Sequence, residues 1–404
     1  MRKTLKLTSG MAAAFVAGMG VAVAGNAPGV TDTEIKIGNT NPYSGPASVY
    51  STIGKSIGAC WKQVNAEGGI NGRKINWISY DDGYSPPKTK EQIRRLVEKD
   101  KVALTFQTLG TPTNSAIHKY MNKKKVPHLF VATGATKWGQ PKKFPWTMGF
   151  QPNYQTIGRI FGNYILQNHP NSKVAVLYQN DDYGKDYVIG VKDAMGDKYA
   201  KQVVKEETYE VTDPTVASQI ISLKNSGADV MVNISIPKFA AQAIKKMYDI
   251  GWKPVHLLND VAATVKATFV PAGLEKSKGI ISVTYLKDPN DPEWKNDPEM
   301  NEWRAFMKKY YPKGDPNNAF NVYGWAVCSL MMDTLKRAGN DLSRENIMKQ
   351  AASFKKFRVR GLLPGIEANT GPNDFYPVEA MQMTRFDGKG NVRFGPTISA
   401  ETSK

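Results

Sequence analysis

The feature that most constrains the fold is a regular alternation of strand and helix patterns with short connectors, which begins at Thr33. Short apolar runs such as Ile35–Gly38 predict strands, and segments with apolar residues three and four positions apart predict the helices between them. The run Val174–Tyr178 is apolar at nearly every position, as a strand buried on both faces requires. The pattern therefore predicts an α/β fold of mostly parallel sheets covered by helices on both faces.

The N-terminus has the three parts of a secretory signal peptide. Basic residues such as Arg2 and Lys3 precede the apolar segment Met11–Val21, and a site of small residues follows it. We expect residues 1–24 to be removed by cleavage after Ala24 and the protein to be exported to the periplasm. No later stretch approaches the ~18 apolar residues of a transmembrane helix, and no cysteine lies near the cut. We therefore expect a soluble protein without a lipid anchor.

The formal net charge of +18 raises the question of nucleic-acid binding. The basic residues lie in short scattered groups such as Lys123–Lys125 and Lys308–Lys309, mostly on polar helix faces and without interleaved stacking aromatics. We therefore expect no nucleic-acid partner. A positive field can still attract small anions.

Sequence motifs for catalysis and metal binding are missing. The four histidines lack metal-ligand spacing, and the chain has no nucleophile elbow, phosphate loop or dinucleotide fingerprint. We expect no catalytic residue, no metal and no cofactor. For the two cysteines, Cys60 and Cys328, we expect buried free thiols, with a single disulfide as the alternative in an oxidising compartment.

The stretch from Val102 to His118 is typical of a buried strand that runs directly into a helix. At its junction, Gly110 permits a tight turn, Thr111 is a capping residue type, and Pro112 is favoured at the first helical position. The free N–H groups of such a helix start can hold an anion, such as a carboxylate. An ordinary strand-to-helix turn is the alternative interpretation.

Three predicted strand ends have the small, polar composition of a binding crevice. They are the segments Tyr43–Tyr50, Leu109–Thr111 and Gly134–Thr136, the last of which contains Ala135. Ligands of open α/β sheets bind outside the carboxyl ends of the strands, so we expect these segments to face one crevice. Backbone groups and threonine hydroxyls then supply the polar contacts, with Tyr43 and Tyr50 as an apolar wall. We interpret the aromatic stripes of two later helices, which include Phe320 and Tyr323, as core packing.

Six segments resemble the periplasmic solute-binding proteins of the leucine/isoleucine/valine-binding type. They occur in the order and at the spacing of that family: Ile35–Gly38, Ser44–Pro46, Asn65–Gly72, Tyr80–Asp82, Gly134–Thr136 and Asp182–Gly184. The resemblance covers roughly the whole mature chain. It implies a type I periplasmic-binding fold, in which two doubly wound parallel-sheet lobes are joined by three hinge crossovers. It also implies that the lobes close on a ligand and deliver it to an ABC importer.

The resemblance further implies roles for individual residues. Four positions match those that hold the ligand carboxylate in the family: Gly110, Thr111, Gly134 and Thr136. Tyr50 matches the wall residue of the first loop, and Tyr183 matches the aromatic residue of the second lobe.

The chain departs from the amino-acid binders of the family at three positions. Gly110 stands where they have a serine on the carboxylate, Ile236 where they have a tyrosine, and Asp260 near a glutamate that binds the ammonium. Asp260 either replaces that glutamate or caps the following helix. The segments around Gly110 and Gly134 look more like family members that take aromatic or aliphatic carboxylates, which need no acidic partner.

The residues and the resemblance together predict two lobes with three hinge crossings. We expect lobe 1 at 25–149 plus 286–354 and lobe 2 at 150–285 plus 355–404, with hinges near Met148–Gln151, near Ser282–Lys287 and after Phe354. We expect a monomeric binding protein of a branched-chain-amino-acid-type ABC uptake system, which carries a small amphipathic carboxylate to an inner-membrane permease. A ligand sensor for a membrane receptor is the alternative, and we do not expect an enzyme.

Overall fold

The computed structural model describes residues 26–399, so the predicted signal peptide lies outside the described residues. Within this range the chain forms two sheets, each built mainly from parallel strands and packed with helices. No helix of the described range is long and apolar enough to span a membrane. The α/β class predicted from the strand and helix alternation is confirmed.

Strands and helices alternate along most of the chain. The strands are β1 (Glu34–Asn41), β2 (Lys74–Asp81), β3 (Leu104–Phe106), β4 (His128–Val131), β5 (Thr147–Gly149), β6 (Val174–Gln179), β7 (Val203–Tyr209), β8 (Val230–Ile234), β9 (Val255–Leu258), β10 (Ile281–Thr284), β11 (Ala380–Phe386) and β12 (Asn391–Ser399). The α-helices are α1 (Ser51–Ala66), α2 (Pro86–Arg94), α3 (Thr111–Lys123), α4 (Tyr154–Asn168), α5 (Asp182–Met195), α6 (Asp197–Gln202), α7 (Ala217–Asn225), α8 (Pro237–Asp249), α9 (Val270–Ala272), α10 (Leu274–Ser277), α11 (Pro298–Tyr310), α12 (Ala319–Ala338) and α13 (Arg344–Ala351).

The first sheet has the strand order β2-β1-β3-β4-β5 and is parallel throughout. Helix α1 packs against α11 and α12, while α2 packs against α3. We call this sheet with its helices lobe 1. Two helices of the lobe, α11 and α12, come from the C-terminal third of the chain, so the chain must return to lobe 1 after building the second sheet.

The second sheet has the order β12-β11-β10-β9-β8-β6-β7. Its strands from β6 to β10 pair in parallel, and the hairpin β11–β12 adds two antiparallel strands at one edge. We call this sheet with its helices lobe 2. The sequence predicts this hairpin, because the turn Asp387-Gly388 separates the strand-like runs Ala380–Phe386 and Asn391–Phe394, and the prediction is confirmed.

Lobe 2 contains an unusually close helix pair, α4 against α5. A Cβ atom on Gly158 would lie 2.2 Å from the carbonyl oxygen of Tyr187, and one on Gly190 would lie 2.0 Å from that of Gln155. Only glycine allows the two backbones to approach this closely. Helix α5 begins after Asp181, whose side chain accepts the N–H of Tyr183 and so caps the helix.

Three segments connect the lobes. The first runs from β5 to α4, the second follows β10, and the third precedes β11. The second and third run side by side, because the N–H of Lys287 donates to the carbonyl of Gly361 at 2.8 Å and that of Leu363 donates to Tyr285 at 2.9 Å. The lobe boundaries and hinge positions expected from the sequence stay predictions.

The two cysteines form a disulfide, so the expectation of free thiols is wrong. Cys60 on α1 and Cys328 on α12 are bonded to each other across 268 residues of sequence. The error arose because the sequence does not show that these two helices pack together. The bond links an early and a late helix of lobe 1.

Candidate ligand-binding site

A cavity of about 110 Å³ lies between the two lobes. Most of its lining is apolar, and it receives residues from the strand ends of both sheets and from the second crossing. Seven of the residues predicted from the sequence line it: Tyr50, Leu109, Gly110, Thr111, Tyr183, Ile236 and Asp260. The cavity is therefore the candidate site.

The lobe 1 side of the cavity contains the start of α3. Gly110 has a φ of +99°, a conformation that favours glycine, and its N–H donates to the carbonyl of Ala132 at 3.3 Å. The first N–H groups of a helix have no intrahelical acceptor, and those of Thr111 and Thr113 belong to this class. The hydroxyl of Thr111 bonds that of Thr133 at 2.5 Å. The backbone rather than this hydroxyl is thus the free donor at the helix start.

On the lobe 2 side, Asp260 is a buried acidic residue of the cavity wall, and Asp288 of the second crossing is another. Burial raises the pKa of the Asp260 carboxyl to about 6, and hydrogen bonds from Tyr187 and from the N–H of Val261 act in the opposite direction. Lys287 also lines the cavity, but its ammonium group pairs with Asp297 and Glu299, and no ion pair of Asp260 is found within the described residues. The alternative that Asp260 caps the following helix is wrong, because that helical turn begins at Val265 and its N-cap residue is Thr264.

Ile236 and Tyr183 complete the predicted lobe 2 wall. Ile236 stands directly before α8, and its N–H donates to the hydroxyl of Tyr209 at 3.0 Å. The hydroxyl of Tyr183 donates to Asn259 at 3.1 Å. The backbone of Ile236 and the side chain of Tyr183 are thus both bonded to residues of lobe 2.

Aromatic rings dominate the rest of the cavity. Those that the sequence did not assign to it are Tyr84, Tyr154, Tyr285, Phe320 and Tyr323. Tyr50 packs against Phe320 with ring centroids 5.1 Å apart, and Tyr154 packs against Tyr183 at 5.5 Å. The stripe that contains Phe320 and Tyr323 was interpreted as core, and helical spacing alone cannot separate core from cavity wall.

Four predicted residues do not line the cavity. The hydroxyl of Tyr43 bonds Ser79 at 2.6 Å, and Ala135 is buried. A Cβ on Gly134 would lie 2.6 Å from the ring of Tyr154, so this ring packs directly against the glycine. Thr136 contacts lobe 2 instead of the cavity, since its N–H and hydroxyl both donate to Asp186, at 2.7 and 2.9 Å.

Direct contacts join the two lobes. The hydroxyl of Tyr50 donates to the carbonyl of Val261 at 3.2 Å, and Lys266 of lobe 2 pairs with Asp315 of lobe 1 at 3.2 Å. The first of these contacts lies in the cavity wall. No group of three or more potential metal ligands is assembled within residues 26–399.

Comparisons with known proteins agree with this architecture. A family model described as periplasmic binding protein matches residues 34–391. The Leu/Ile/Val-binding protein homolog 1 of Brucella suis is 26% identical over 368 residues, which cover 88% of this chain and 90% of that protein.

Two solved structures share the fold. A branched chain amino acid ABC transporter protein of Thermus thermophilus with bound valine has a TM-score of 0.82 and 15% identity, covering 93% of this chain and 98% of its own. A solute binding protein of an ABC transporter from Rhodopseudomonas palustris, in complex with 3,4-dihydroxy benzoic acid, has a TM-score of 0.75 and 19% identity, covering 91% and 98%. The predicted type I periplasmic-binding fold is confirmed, and the chain belongs to the periplasmic binding protein family, of the leucine/isoleucine/valine-binding type.

Proposed function

We propose that this protein is the exported solute-binding component of an ABC uptake system and that it encloses a small amphipathic carboxylate between its lobes. We further propose that the ligand is an α-amino acid. The observation that carries this choice is Asp260, a buried carboxyl of the cavity wall without a cationic partner among the described residues.

Burial of the Asp260 carboxylate is electrostatically unfavourable. An ionised carboxylate loses its hydration when it is buried, and the loss costs several kcal/mol unless an opposite charge or hydrogen bonds offset it. Tyr187 supplies one hydrogen bond, yet the pKa stays raised. A ligand ammonium group would restore the missing charge and lower this pKa again.

The opposite charge of an amino acid has a counterpart on lobe 1. The N–H groups at the start of α3 point outward from the helix, and the helix dipole adds partial positive charge there. A carboxylate at Thr111 and an ammonium at Asp260 would together use one polar group from each lobe. The rings between them offer a wall for an apolar or aromatic side chain.

Binding would then stabilise the closed arrangement, because one ligand contacts both lobes only when they meet. Small-angle scattering with and without saturating ligand tests this step. We expect a smaller radius of gyration with ligand, and an unchanged radius at saturation contradicts closure.

A second candidate ligand class is an aromatic carboxylate without an amino group. The raised pKa of Asp260 supports it, since a carboxyl with a pKa of about 6 is easily protonated and then needs no cation. One structural neighbour is a complex with 3,4-dihydroxy benzoic acid.

A thermal-shift panel of matched pairs separates the two classes. The pairs are L-leucine with 4-methylpentanoate and L-phenylalanine with 3-phenylpropanoate, and 3,4-dihydroxybenzoate is tested alongside. A ligand at 100 times its dissociation constant stabilises by about 2.7 kcal/mol. We expect the amino acid of a pair to raise the melting temperature more than its deaminated partner. The reverse order refutes the ammonium site, and no shift with any compound refutes the proposed ligand class.

The expected partner is an inner-membrane permease, and we propose that the protein acts as a monomer. The sensor alternative predicts a complex with a receptor instead. Uptake of a radiolabelled ligand by cells with and without the gene decides between them, since loss of a sensor leaves uptake intact.

A further inference from the structure

Tyr84 is a cavity residue with an unusual backbone conformation. It follows β2 in lobe 1, is 7% exposed, and has a φ of +60°, which is uncommon for a residue other than glycine. The preceding acid holds this turn: Asp82 accepts the N–H of Tyr84 at 2.9 Å and the hydroxyl of Thr89 at 2.8 Å. A strained backbone that neighbouring groups maintain often marks a functional position.

The ring of Tyr84 lies against Gly110 at the start of α3. A Cβ atom on Gly110 would lie only 2.4 Å from Cε2 of this ring. The ring therefore occupies the space that a side chain at position 110 would fill. It forms the cavity wall directly beside the free N–H groups of the helix start.

Tyr84 lines the same cavity as the lobe 2 residues Tyr183 and Ile236. Burial raises the pKa of its hydroxyl well above the usual value, and the side chain of Gln179 acts in the opposite direction. The ring of Tyr84 is thus a buried part of the wall that a ligand would meet.

We propose that Tyr84 determines the size of ligand that the cavity accepts, with its ring as the wall beside Gly110. Asp82 is the positioning residue of this wall. This inference rests on the proposed function for its choice of ligands.

The test compares dissociation constants of L-leucine and L-tryptophan for the wild type, Tyr84→Phe and Tyr84→Ala by calorimetry. Tyr84→Phe keeps the ring, so it should keep the ratio of the two dissociation constants. Loss of the ring should shift the preference toward L-tryptophan by about tenfold, since one large group leaves the wall. A Tyr84→Ala protein that gains no affinity for L-tryptophan relative to L-leucine overturns the proposal.

A matched control is Tyr80→Phe, which removes a hydroxyl bonded to Asp100 on the same lobe but away from the cavity. We expect this variant to keep both dissociation constants. A change of preference between L-leucine and L-tryptophan in Tyr80→Phe as large as that in Tyr84→Ala contradicts a specific role of the Tyr84 ring.

A measurement without ligand separates this proposal from the proposed function. Gly110→Ala should lower the urea midpoint of unfolding in the wild type, and by less in a Tyr84→Ala background, where the ring no longer opposes the new Cβ. Equal losses in both backgrounds refute the placement of the ring, whatever the ligand is. Suppose that neither amino acid binds the wild type, but Gly110→Ala lowers the urea midpoint less in the Tyr84→Ala background. The amino-acid proposal then fails, whereas the placement of the Tyr84 ring against Gly110 is supported.

Discussion

The segments Leu109–Thr111 and Gly134–Thr136 look alike in sequence, yet the structure uses them differently. Both follow a buried strand of lobe 1, and both contain a glycine and end in a threonine. The first runs directly into α3 and lines the cavity. The second leads into a single 3-10 turn, and the N–H of Thr136 is taken by Asp186 of lobe 2.

These two loops show that the acceptor of a backbone N–H group determines whether a loop can bind a ligand or instead joins the lobes. At Thr111 the N–H remains available to a ligand, whereas at Thr136 a carboxylate of the protein already occupies the equivalent position. We therefore propose that the first loop binds the ligand, whereas the second contacts lobe 2 through Asp186. Residue types alone do not separate these roles.

The largest effect should come from Gly110→Ala in the first loop. The new Cβ would meet Tyr84 at 2.4 Å, and the φ of +99° is strained for alanine. We expect a loss of ligand affinity of about a hundredfold, equivalent to about 3 kcal/mol of overpacking. Calorimetry measures it. Gly227→Ala is the control, because its φ is +72° but nothing lies within 4 Å of the added Cβ, and a similar affinity loss there contradicts the account.

Removal of the acid that holds the second loop should have the next largest effect. Asp186→Ala leaves the N–H of Thr136 without its acceptor in the closed state, which costs about 1–3 kcal/mol. Affinity should fall by about tenfold for every ligand alike, because closure and not recognition is weakened. Asp193→Ala, on the exposed face of α5, is the control. If Asp186→Ala instead changes the order in which the protein prefers its ligands, the second loop takes part in ligand recognition and the proposed role in closure is wrong.

The pH dependence of binding should come from Asp260, which lies across the cavity from the first loop. The pKa of Asp260 is about 6, so its carboxyl is mostly ionised at pH 7 and mostly protonated at pH 5. Since an ammonium requires the ionised form, affinity for an amino acid should fall by about tenfold between pH 7 and pH 5. Burial also raises the pKa of Asp186, so this second carboxyl can contribute to the pH dependence. The variant Asp260→Asn is therefore measured in parallel, since it keeps Asp186 and loses only the Asp260 carboxyl. Equal pH dependence in both proteins refutes the role of Asp260.

The smallest effect should follow Lys137→Ala, beside the second loop. Lys137 pairs with Asp182 of lobe 2, and the Asp182 side chain is 60% exposed. Exposed ion pairs contribute about 0–1 kcal/mol and are screened by salt. We expect less than about a fivefold loss of affinity, and none at high salt. A large loss that salt does not alter contradicts the assignment of this pair to the surface.

The fold could be predicted from the sequence because its periodicity follows from burial. The apolar run Val174–Tyr178 appears as β6, and the turn Asp387–Gly388 joins the hairpin β11–β12. The helix start at Thr111 was also visible, since glycine and proline have strong positional preferences. These features depend on neighbours in sequence.

The missed features depend on neighbours in space. Tyr84 reaches the cavity through a backbone turn that Asp82 holds, and no sequence pattern marks its φ of +60°. The Cys60–Cys328 bond required knowledge that α1 packs against α12. The partner of Thr136 lies 50 residues away on Asp186, in the other lobe.

The central claim is that an ammonium on Asp260 and a carboxylate at the start of α3 hold the ligand between the lobes. The most direct test is a calorimetric cycle in which the amino acid with the largest thermal shift, and the same molecule without its amino group, are titrated into wild type and Asp260→Asn. We predict that the wild type prefers the amino acid by about a hundredfold, as a buried charge pair worth about 3 kcal/mol requires, and that Asp260→Asn loses this preference. The same ratio of dissociation constants in both proteins would contradict the account.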